Sequence, residues 1–177
     1  MVKVAVVGAG KMGLPLAAQF ASRGADVTAC DRNPAVVEAI NVGESPVDEP
    51  GVPAMVTAAV ARGVLRATTN TAEAAREAEV IVVIVPALLT REPDIDTSLL
   101  VSASRDIARG LQLGSLVSYE TTLPVGGTRR FLLPALERSG LQAGVDFDLV
   151  FSPERVKSQR VLAHLERNAK IVGGITP

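Results

Sequence analysis

Residues 4–13 of this chain read Val-Ala-Val-Val-Gly-Ala-Gly-Lys-Met-Gly, and this stretch decides the fold. Its apolar start predicts a short strand, and the Gly-x-Gly-x-x-Gly spacing after it is typical of a turn that leads into a helix. Gly8 permits a tight turn, Gly10 permits phosphates to approach the backbone, and Gly13 permits close packing of the helix on the strand. The pattern predicts a dinucleotide whose pyrophosphate lies at the helix N-terminus, where free N–H groups and the positive end of the helix dipole face it.

An acidic residue ends the second apolar run. Asp31 follows residues 26–30, at the distance expected for a carboxylate that accepts hydrogen bonds from the adenosine ribose hydroxyls. A carboxylate there would repel a 2′-phosphate, so the pattern indicates NAD rather than NADP. The positive charge of the neighbouring Arg32 makes this preference for NAD slightly weaker. Two alternatives stay open at this point: an FAD site, because flavoproteins use the same turn, and glycines that serve the turn and packing alone.

The composition bounds the class of protein. The 177 residues, 47% of them hydrophobic, suit one domain with a sizeable core. The net charge of −1 argues against nucleic acid or an anionic membrane as the main partner. The start of the chain lacks the features of a signal peptide, and no apolar run approaches the length of a membrane span. One cysteine permits no internal disulfide, and we expect a cytoplasmic protein.

Apolar runs alternate with helical patterns along the whole chain. Several runs lack polar alternation, as expected of parallel strands that are covered on both faces. We therefore predict an α/β fold: a Rossmann-type doubly wound parallel sheet with right-handed crossovers, in three αβα layers. The predicted strands are 2–7, 26–30, 80–85, 115–119, 147–151 and 170–172, with a weaker one at 64–67. The predicted helices are 11–23, 34–42, 52–62, 71–77, 97–109 and 126–139, and the predicted loops are 44–53 and 86–96.

Four further segments point to one enzyme family: residues 80–86 (VIVVIVP), 119–128 (YETTLPVGGT), 151–156 (FSPERV) and 170–174 (KIVGG). With the opening turn, the chain resembles, in order and over essentially its whole length, the N-terminal NAD-binding domain of the UDP-glucose/UDP-N-acetylmannosamine/GDP-mannose dehydrogenase family. Ser-Pro-Glu-Arg-Val is more similar to the UDP-N-acetylhexosamine branch than to the UDP-glucose branch. The resemblance implies one domain over residues 1–177.

The resemblance implies an oxidoreductase activity for the parent protein. The family oxidises the primary alcohol of a nucleotide sugar to a carboxylate by two hydride transfers to NAD, with a cysteine that holds the half-oxidised sugar. That cysteine, a lysine and an asparagine lie in the family's C-terminal part, and its Gly-Gly-x-Cys-x-Pro type motif has no counterpart here. We expect a domain of a longer homodimeric enzyme that binds NAD but turns over no UDP-sugar alone. Apolar surface left uncovered by the missing domains would allow a monomer or a weak dimer.

The resemblance also implies roles for site residues. Thr122 and Glu154 would lie near the nicotinamide and the reacting carbon. There Glu154 would handle protons or orient water, and Thr122 would hydrogen-bond that water or a substrate oxygen. Glu154, Arg155 and Lys157 would contact the substrate. The expected cofactor-binding residues are Gly8, Gly10, Lys11, Met12, Gly13, Asp31, Arg32, Val85, Pro86 and Thr122.

The sequence departs from the family pattern at two places. Ala87 and Leu88 follow Pro86 where the family often has Thr-Pro, which questions a hydroxyl contact to the cofactor. Gln159 stands where related sequences usually have Gly, which questions the shape of the loop after Glu154.

Other reactive side chains have simpler explanations. Cys30, the only thiol, lies on a predicted buried strand and is expected to belong to the core. His164, the only histidine, lies in a predicted short helix over residues 161–165, and a single His makes no metal cluster, so we expect no metal. Glu120 fits equally well as a site residue and as the polar end of a strand.

Acidic residues precede the predicted helix at 97–109. Glu92, Asp94 and Asp96 are spaced acids of a kind that more often caps a helix than binds a cation. Either Asp96 or Thr97 is the expected N-cap.

Two other functions stay open. A β-hydroxyacid dehydrogenase related to 6-phosphogluconate dehydrogenase starts with a similar domain, although the Ser-Pro-Glu-Arg and Glu-Thr-Thr segments argue against it. The other alternative is a stand-alone NAD-binding module without chemistry.

Overall fold

A computed structural model of the protein describes residues 1–89 and 95–176. The strands are β1 (Lys3–Val7), β2 (Asp26–Cys30), β3 (Leu65–Thr68), β4 (Val80–Val83), β5 (Leu88–Leu89), β6 (Ile95–Asp96), β7 (Leu116–Tyr119), β8 (Asp148–Phe151) and β9 (Gly173–Gly174). The helices are α1 (Gly13–Ser22), α2 (Pro34–Asn41), α3 (Val52–Ala61), α4 (Thr71–Glu77), α5 (Ser98–Ala108), α6 (Leu133–Leu136) and α7 (Val161–Arg167). None of these helices has the length and apolar character needed to traverse a lipid bilayer.

Seven of the described strands form one sheet in the order β3-β2-β1-β4-β7-β8-β9. All neighbouring pairs from β3 to β8 are parallel, and β9 runs antiparallel to β8 at the edge. The strand order reverses between β1 and β4, and a ligand crevice forms at such a switch point, outside the carboxyl ends of the strands. The predicted Rossmann-type α/β fold is therefore confirmed.

Successive residues of β1 face two different cores. Val4 and Val6 pack in a cluster with residues of α1, α2 and α3. Ala5 and Val7 pack in a second cluster with residues of α4, α5 and α6. Helices thus cover both faces of the sheet in three layers. Because both faces are buried, the strand is continuously apolar and lacks polar alternation.

The strand predicted at residues 170–172 is wrong. Ile171 and Val172 are 56% and 60% exposed and pair with none of the described strands, whereas Gly173–Gly174 pairs antiparallel with β8. The apolar pair resembled a buried strand, but the edge of the sheet is completed by two glycines without side chains to bury. Short apolar runs do not reveal this difference.

Two other boundaries need correction. The predicted loop at 86–96 contains β5 and β6, a ladder of two residue pairs that is too short to show a periodic pattern. The predicted helix at 126–139 is a π-helical turn (Thr128–Leu132), then α6, then a 3₁₀ turn (Glu137–Ser139). Pro134 lacks a backbone N–H, which removes one regular i→i−4 hydrogen bond from this segment.

Side chains cap two of the helices that border the site. Asp96 Oδ1 accepts from the Ser98 N–H at 2.8 Å, and hydrogen bonding to the Ser98 side chain, together with this backbone bond, lowers the pKa of Asp96. The Thr97 side chain makes no capping bond within the described residues. Asn33 caps α2 by accepting from the Ala35 N–H at 3.1 Å. The predicted caps Glu92 and Asp94 lie outside the described residues.

Candidate functional site

The glycine-rich turn joins β1 to α1, and two of its glycines are required by packing within the chain. Gly8 has a φ of +101°, and a Cβ there would lie 3.0 Å from the Ile84 carbonyl oxygen. A Cβ on Gly13 would lie 1.7 Å from the Gly8 carbonyl oxygen. Side chains are therefore excluded at both positions before any ligand is considered.

Gly10 differs from the other two glycines because a Cβ there would meet no atom within 4 Å. The backbone N–H groups of Gly10, Lys11 and Met12 have no acceptor in the described part of the chain. The first bond into the helix runs from the Leu14 N–H to the Gly10 carbonyl. Unpaired donors beside open space at a helix N-terminus fit the pyrophosphate of a dinucleotide.

A cleft of about 520 Å³ opens in front of this turn. It is formed by the glycine-rich turn, the carboxyl ends of β2 and β4, and one face of α5. It is lined by Val7, Gly8, Gly10, Lys11, Met12, Gly13, Cys30, Asp31, Arg32, Thr71, Ile84, Val85, Pro86, Leu99, Ser102, Ala103 and Asp106. The structure thus brings together every expected cofactor-binding residue except Thr122.

Asp31 is held at the rim of the cleft by two backbone donors. Its Oδ2 accepts from the Ala9 N–H at 3.1 Å, and its Oδ1 accepts from the Asn33 N–H at 2.9 Å. The carboxylate therefore has a fixed direction and retains lone pairs for a ribose diol. Arg32 lines the same rim.

Residues of α5 form a wall that the sequence analysis missed. Leu99, Ser102, Ala103 and Asp106 follow one another at spacings of three, one and three residues, which places them on one face of the helix. The opposite face carries the buried Leu100 and other core residues. The small and polar residues Ser102, Ala103 and Asp106 on a face separate from the core residues were the available signal.

Thr122 does not line the cleft and is exposed. Its neighbour Thr121 instead donates from Oγ1 to the Val85 carbonyl at 2.6 Å. This bond joins the chain after β7 to the chain after β4. Within the described residues, the structure therefore places Thr121, and not Thr122, in contact with the cleft residue Val85.

A second polar cluster lies beyond the carboxyl ends of β7 and β8. Lys170 Nζ pairs with Glu120 Oε2 and lies 3.6 Å from Glu154 Oε2. Burial raises the pKa of Glu120 and the Glu154 charge adds to the rise, while Lys170 and a hydrogen bond from Ser118 oppose it. Lys170 is a residue that sequence reasoning missed, because its segment was interpreted as a strand.

Arg155 and Lys157, the other predicted substrate contacts, are both exposed. Arg155 Nη1 donates to the Ala169 carbonyl at 3.4 Å. The Lys157 N–H donates to His164 Nδ1 at 3.1 Å, so the histidine serves to order the loop.

The loop after Glu154 is anchored by Glu49, which sequence reasoning also missed. Glu49 is only 2% exposed, and its Oε1 accepts from Ser158 Oγ at 3.0 Å and from the Gln159 N–H at 2.8 Å. Gln159 has a φ of +65°, a left-handed conformation that glycine, usual here in related sequences, adopts at less cost. The Glu49 contacts hold this conformation without a glycine. In the sequence, Glu49 is a charged residue of the predicted loop at 44–53, and nothing in that pattern indicates that its side chain is buried.

Cys30 is confirmed as a core residue, although it also lines the floor of the cleft. Burial raises the pKa of its thiol to about 12. The thiolate is the nucleophilic form, so this cysteine is unreactive at neutral pH.

Comparisons with known proteins agree with this geometry. The model of the NAD binding domain of the UDP-glucose/GDP-mannose dehydrogenase family matches residues 2–177. Identity is 39% both with UDP-N-acetyl-D-mannosamine dehydrogenase of Escherichia coli K12 and with NDP-N-acetyl-D-galactosaminuronic acid dehydrogenase of Ralstonia nicotianae. Each match covers 98% of this chain and 42% of the relative.

A solved structure shows the same architecture. UDP-D-ManNAc dehydrogenase from Pyrococcus horikoshii superposes with a TM-score of 0.91 at 35% identity, over 97% of this chain and 41% of that chain. This chain thus spans about two fifths of the length of these relatives. The chain belongs to the UDP-glucose/GDP-mannose dehydrogenase family and is its NAD-binding domain.

Proposed function

We propose that this domain serves an NAD-dependent nucleotide-sugar 6-dehydrogenase, which oxidises a UDP-N-acetylhexosamine, or UDP-glucose, to the uronic acid by two hydride transfers. The observation that carries the proposal is the open space at Gly10, bordered by three backbone N–H groups that have no acceptor among residues 1–89 and 95–176. Bound NAD would accept the hydride. The two relatives that share 39% identity both carry N-acetylhexosamine names, which supports that sugar class.

The chain's own residues divide between two tasks. The turn at residues 8–13 and Asp31 bind and orient the dinucleotide. Glu154, at the carboxyl end of β8, moves a proton or orients water at the sugar, and Arg155 and Lys157 contact substrate oxygens. Thr122 would approach the same sugar rather than the cofactor, since it lies outside the cleft.

The parent enzyme on this proposal is a cytoplasmic homodimer, and its cysteine nucleophile comes from another part of the protein. The buried and unreactive Cys30 supports this division, because the one thiol of this chain is unsuited to hold a sugar. The chain alone is a monomer or a weak dimer without UDP-sugar oxidation.

Cofactor binding is tested by titrating NADH into the chain in a calorimeter. Asp31→Asn should weaken binding about tenfold, or roughly 1.4 kcal/mol, because the amide is a poorer acceptor for the ribose diol. Asp31→Asn should also reduce the preference of the domain for NADH over NADPH. Glu38→Gln, an exposed change on α2 outside the cleft, is the matched control. Equal NADH affinity in wild type and Asp31→Asn would contradict the assigned role.

The activity is tested with the full-length enzyme that contains this domain. With UDP-N-acetylmannosamine, UDP-N-acetylglucosamine or UDP-glucose, it should form two NADH per sugar oxidised. The isolated domain should form none with the same substrates. NADH production by the isolated domain, or activity of the whole enzyme on small hydroxyacids alone, would overturn the proposal.

A further inference from the structure

Three charged side chains from three separate segments meet beside the proposed sugar site. Glu120 follows β7, Glu154 follows β8, and Lys170 precedes β9. Their side chains are 6%, 13% and 43% exposed, respectively. The function proposed above uses Glu154 but assigns no task to Glu120 or Lys170.

The backbone fixes the two carboxylates side by side. The Glu154 N–H donates to the Glu120 carbonyl at 2.8 Å, and the Glu120 N–H donates to the Val83 carbonyl at 2.9 Å. The two side chains therefore start from adjoining points at the edge of the sheet. Two carboxylates held close in a partly buried site resist being ionised together unless a cation compensates them.

Lys170 supplies that cation. Among residues 1–89 and 95–176 it is the one basic side chain that pairs with both carboxylates. Within the described residues, the Arg155 guanidinium donates to the Ala169 carbonyl and pairs with neither carboxylate. The other described contacts of the two carboxylates are with neutral donors: the Ser118 hydroxyl donates to Glu120 Oε1 at 3.1 Å, and the Arg155 N–H donates to Glu154 Oε1 at 2.6 Å.

The segment that carries Lys170 is tied to the segment that carries Glu154. Asn168 Nδ2 donates to the Arg155 carbonyl at 2.7 Å, and Arg155 Nη1 returns a bond to Ala169. The Lys170 ammonium thus approaches the carboxylates from a segment that is hydrogen-bonded to the loop after Glu154. Because these two bonds hold the Lys170 segment in place, the ion pair of Lys170 with Glu120 is part of the fold and not a chance surface contact.

We propose that Lys170 is a positioning residue that holds the carboxylates of Glu120 and Glu154 side by side, so that Glu154 faces the sugar. This inference rests on the function proposed for Glu154. Removal of the ammonium would leave two facing carboxylates, and the buried Glu120 would take up a proton at a higher pH.

The first test follows the protonation of the Glu120 carboxyl by ¹³C NMR in the isolated chain. Lys170→Met should move the titration midpoint of Glu120 upward by about one pH unit or more. Lys170→Arg should retain most of the wild-type midpoint. Adding Glu154→Gln to Lys170→Met should move it back down, because the neighbouring charge is gone. NADH binding reports whether each variant is folded, since the cluster lies outside the cofactor cleft.

The second test is the pH dependence of kcat in the full-length enzyme. Lys170→Met should shift the acidic limb to higher pH, Lys170→Arg should restore it, and Glu120→Gln should suppress the shift caused by Lys170→Met. An unmoved Glu120 midpoint in Lys170→Met overturns the inference. A moved midpoint with an unmoved pH profile also overturns the positioning role.

The two tests separate this inference from the proposed function. If the wild-type enzyme oxidises no UDP-sugar, the proposed function fails, and the positioning role fails with it. If the wild-type enzyme is active and the Glu120 midpoint does not respond to Lys170, only the positioning role is wrong.

Discussion

Single residues of the glycine-rich turn have different physical reasons for being glycine. Gly8 and Gly13 are constrained by the chain itself, since a Cβ at either position would press on backbone oxygens. Gly10 faces space that the described residues leave open, so a side chain there would occupy room available to a ligand. The same sequence motif therefore combines folding requirements with a binding requirement.

Alanine substitutions separate these requirements. Gly10→Ala should leave the unfolding temperature nearly unchanged while it weakens NADH binding at least tenfold, because the methyl group occupies the space of the phosphates. Gly13→Ala should lower the free energy of unfolding by several kcal/mol, since the new Cβ would overlap the Gly8 carbonyl oxygen. Thermal unfolding and calorimetric titration measure the two effects. Full NADH affinity in Gly10→Ala would show that the pyrophosphate lies elsewhere.

At the scale of elements, one buried polar contact joins α5 to β7. The Ser104 hydroxyl donates to the Leu100 carbonyl at 2.7 Å, which leaves the Tyr119 hydroxyl as donor to Ser104 Oγ. Both side chains are fully buried, and burial raises the pKa of Tyr119. The contact fixes the helix that forms one wall of the cofactor cleft against a central strand.

The two partners should respond unequally to mutation. Tyr119→Phe leaves Ser104 with its Leu100 bond and should cost about 1 kcal/mol of unfolding free energy. Ser104→Ala leaves the buried Tyr119 hydroxyl without its acceptor and should cost about 1–3 kcal/mol. Urea unfolding of both variants gives the comparison. A larger loss in Tyr119→Phe than in Ser104→Ala would refute the assigned donor direction.

For the molecule as a whole, Glu120 links stability to pH. Its folded-state pKa is raised above the ordinary value of 4.5, so the folded state binds this proton more tightly than the unfolded state. Where the folded state holds more protons, the free energy of unfolding falls as pH rises. The contribution of Glu120 therefore declines between pH 4.5 and its raised folded-state pKa, and is constant above that value.

Glu120→Gln should remove this decline. The free energy of unfolding of the variant, relative to wild type, should increase as pH rises from 4.5 and then level off. Urea unfolding at a series of pH values measures the difference and cancels the groups that both proteins share. If the free energy of unfolding of Glu120→Gln relative to wild type decreases as pH rises, then the Lys170 ion pair favours the charged carboxylate more than burial disfavours it.

Much of the fold and of the cofactor site could be predicted because their signals are local. The turn at 8–13 and Asp31 lie within one βαβ unit, and buried parallel strands such as β1 are continuously apolar. Elements without a local signal were missed or misplaced. The two-residue strands β5, β6 and β9 carry no periodic pattern, and Pro134 interrupts a segment whose spacing predicted one helix.

The sequence by itself determined the βα alternation, the dinucleotide turn and the acidic residue that follows it, because these depend on residue type and short spacing. Only the tertiary structure brought Lys170 to Glu120, which lies 50 residues earlier, and Ser158 to Glu49, which lies 109 residues earlier. Parallel strands end at one edge of a sheet whatever their separation in the chain, so the residues that follow them meet there. Whether a carboxylate in such a place is buried or solvated depends on that meeting and leaves no mark in the local sequence.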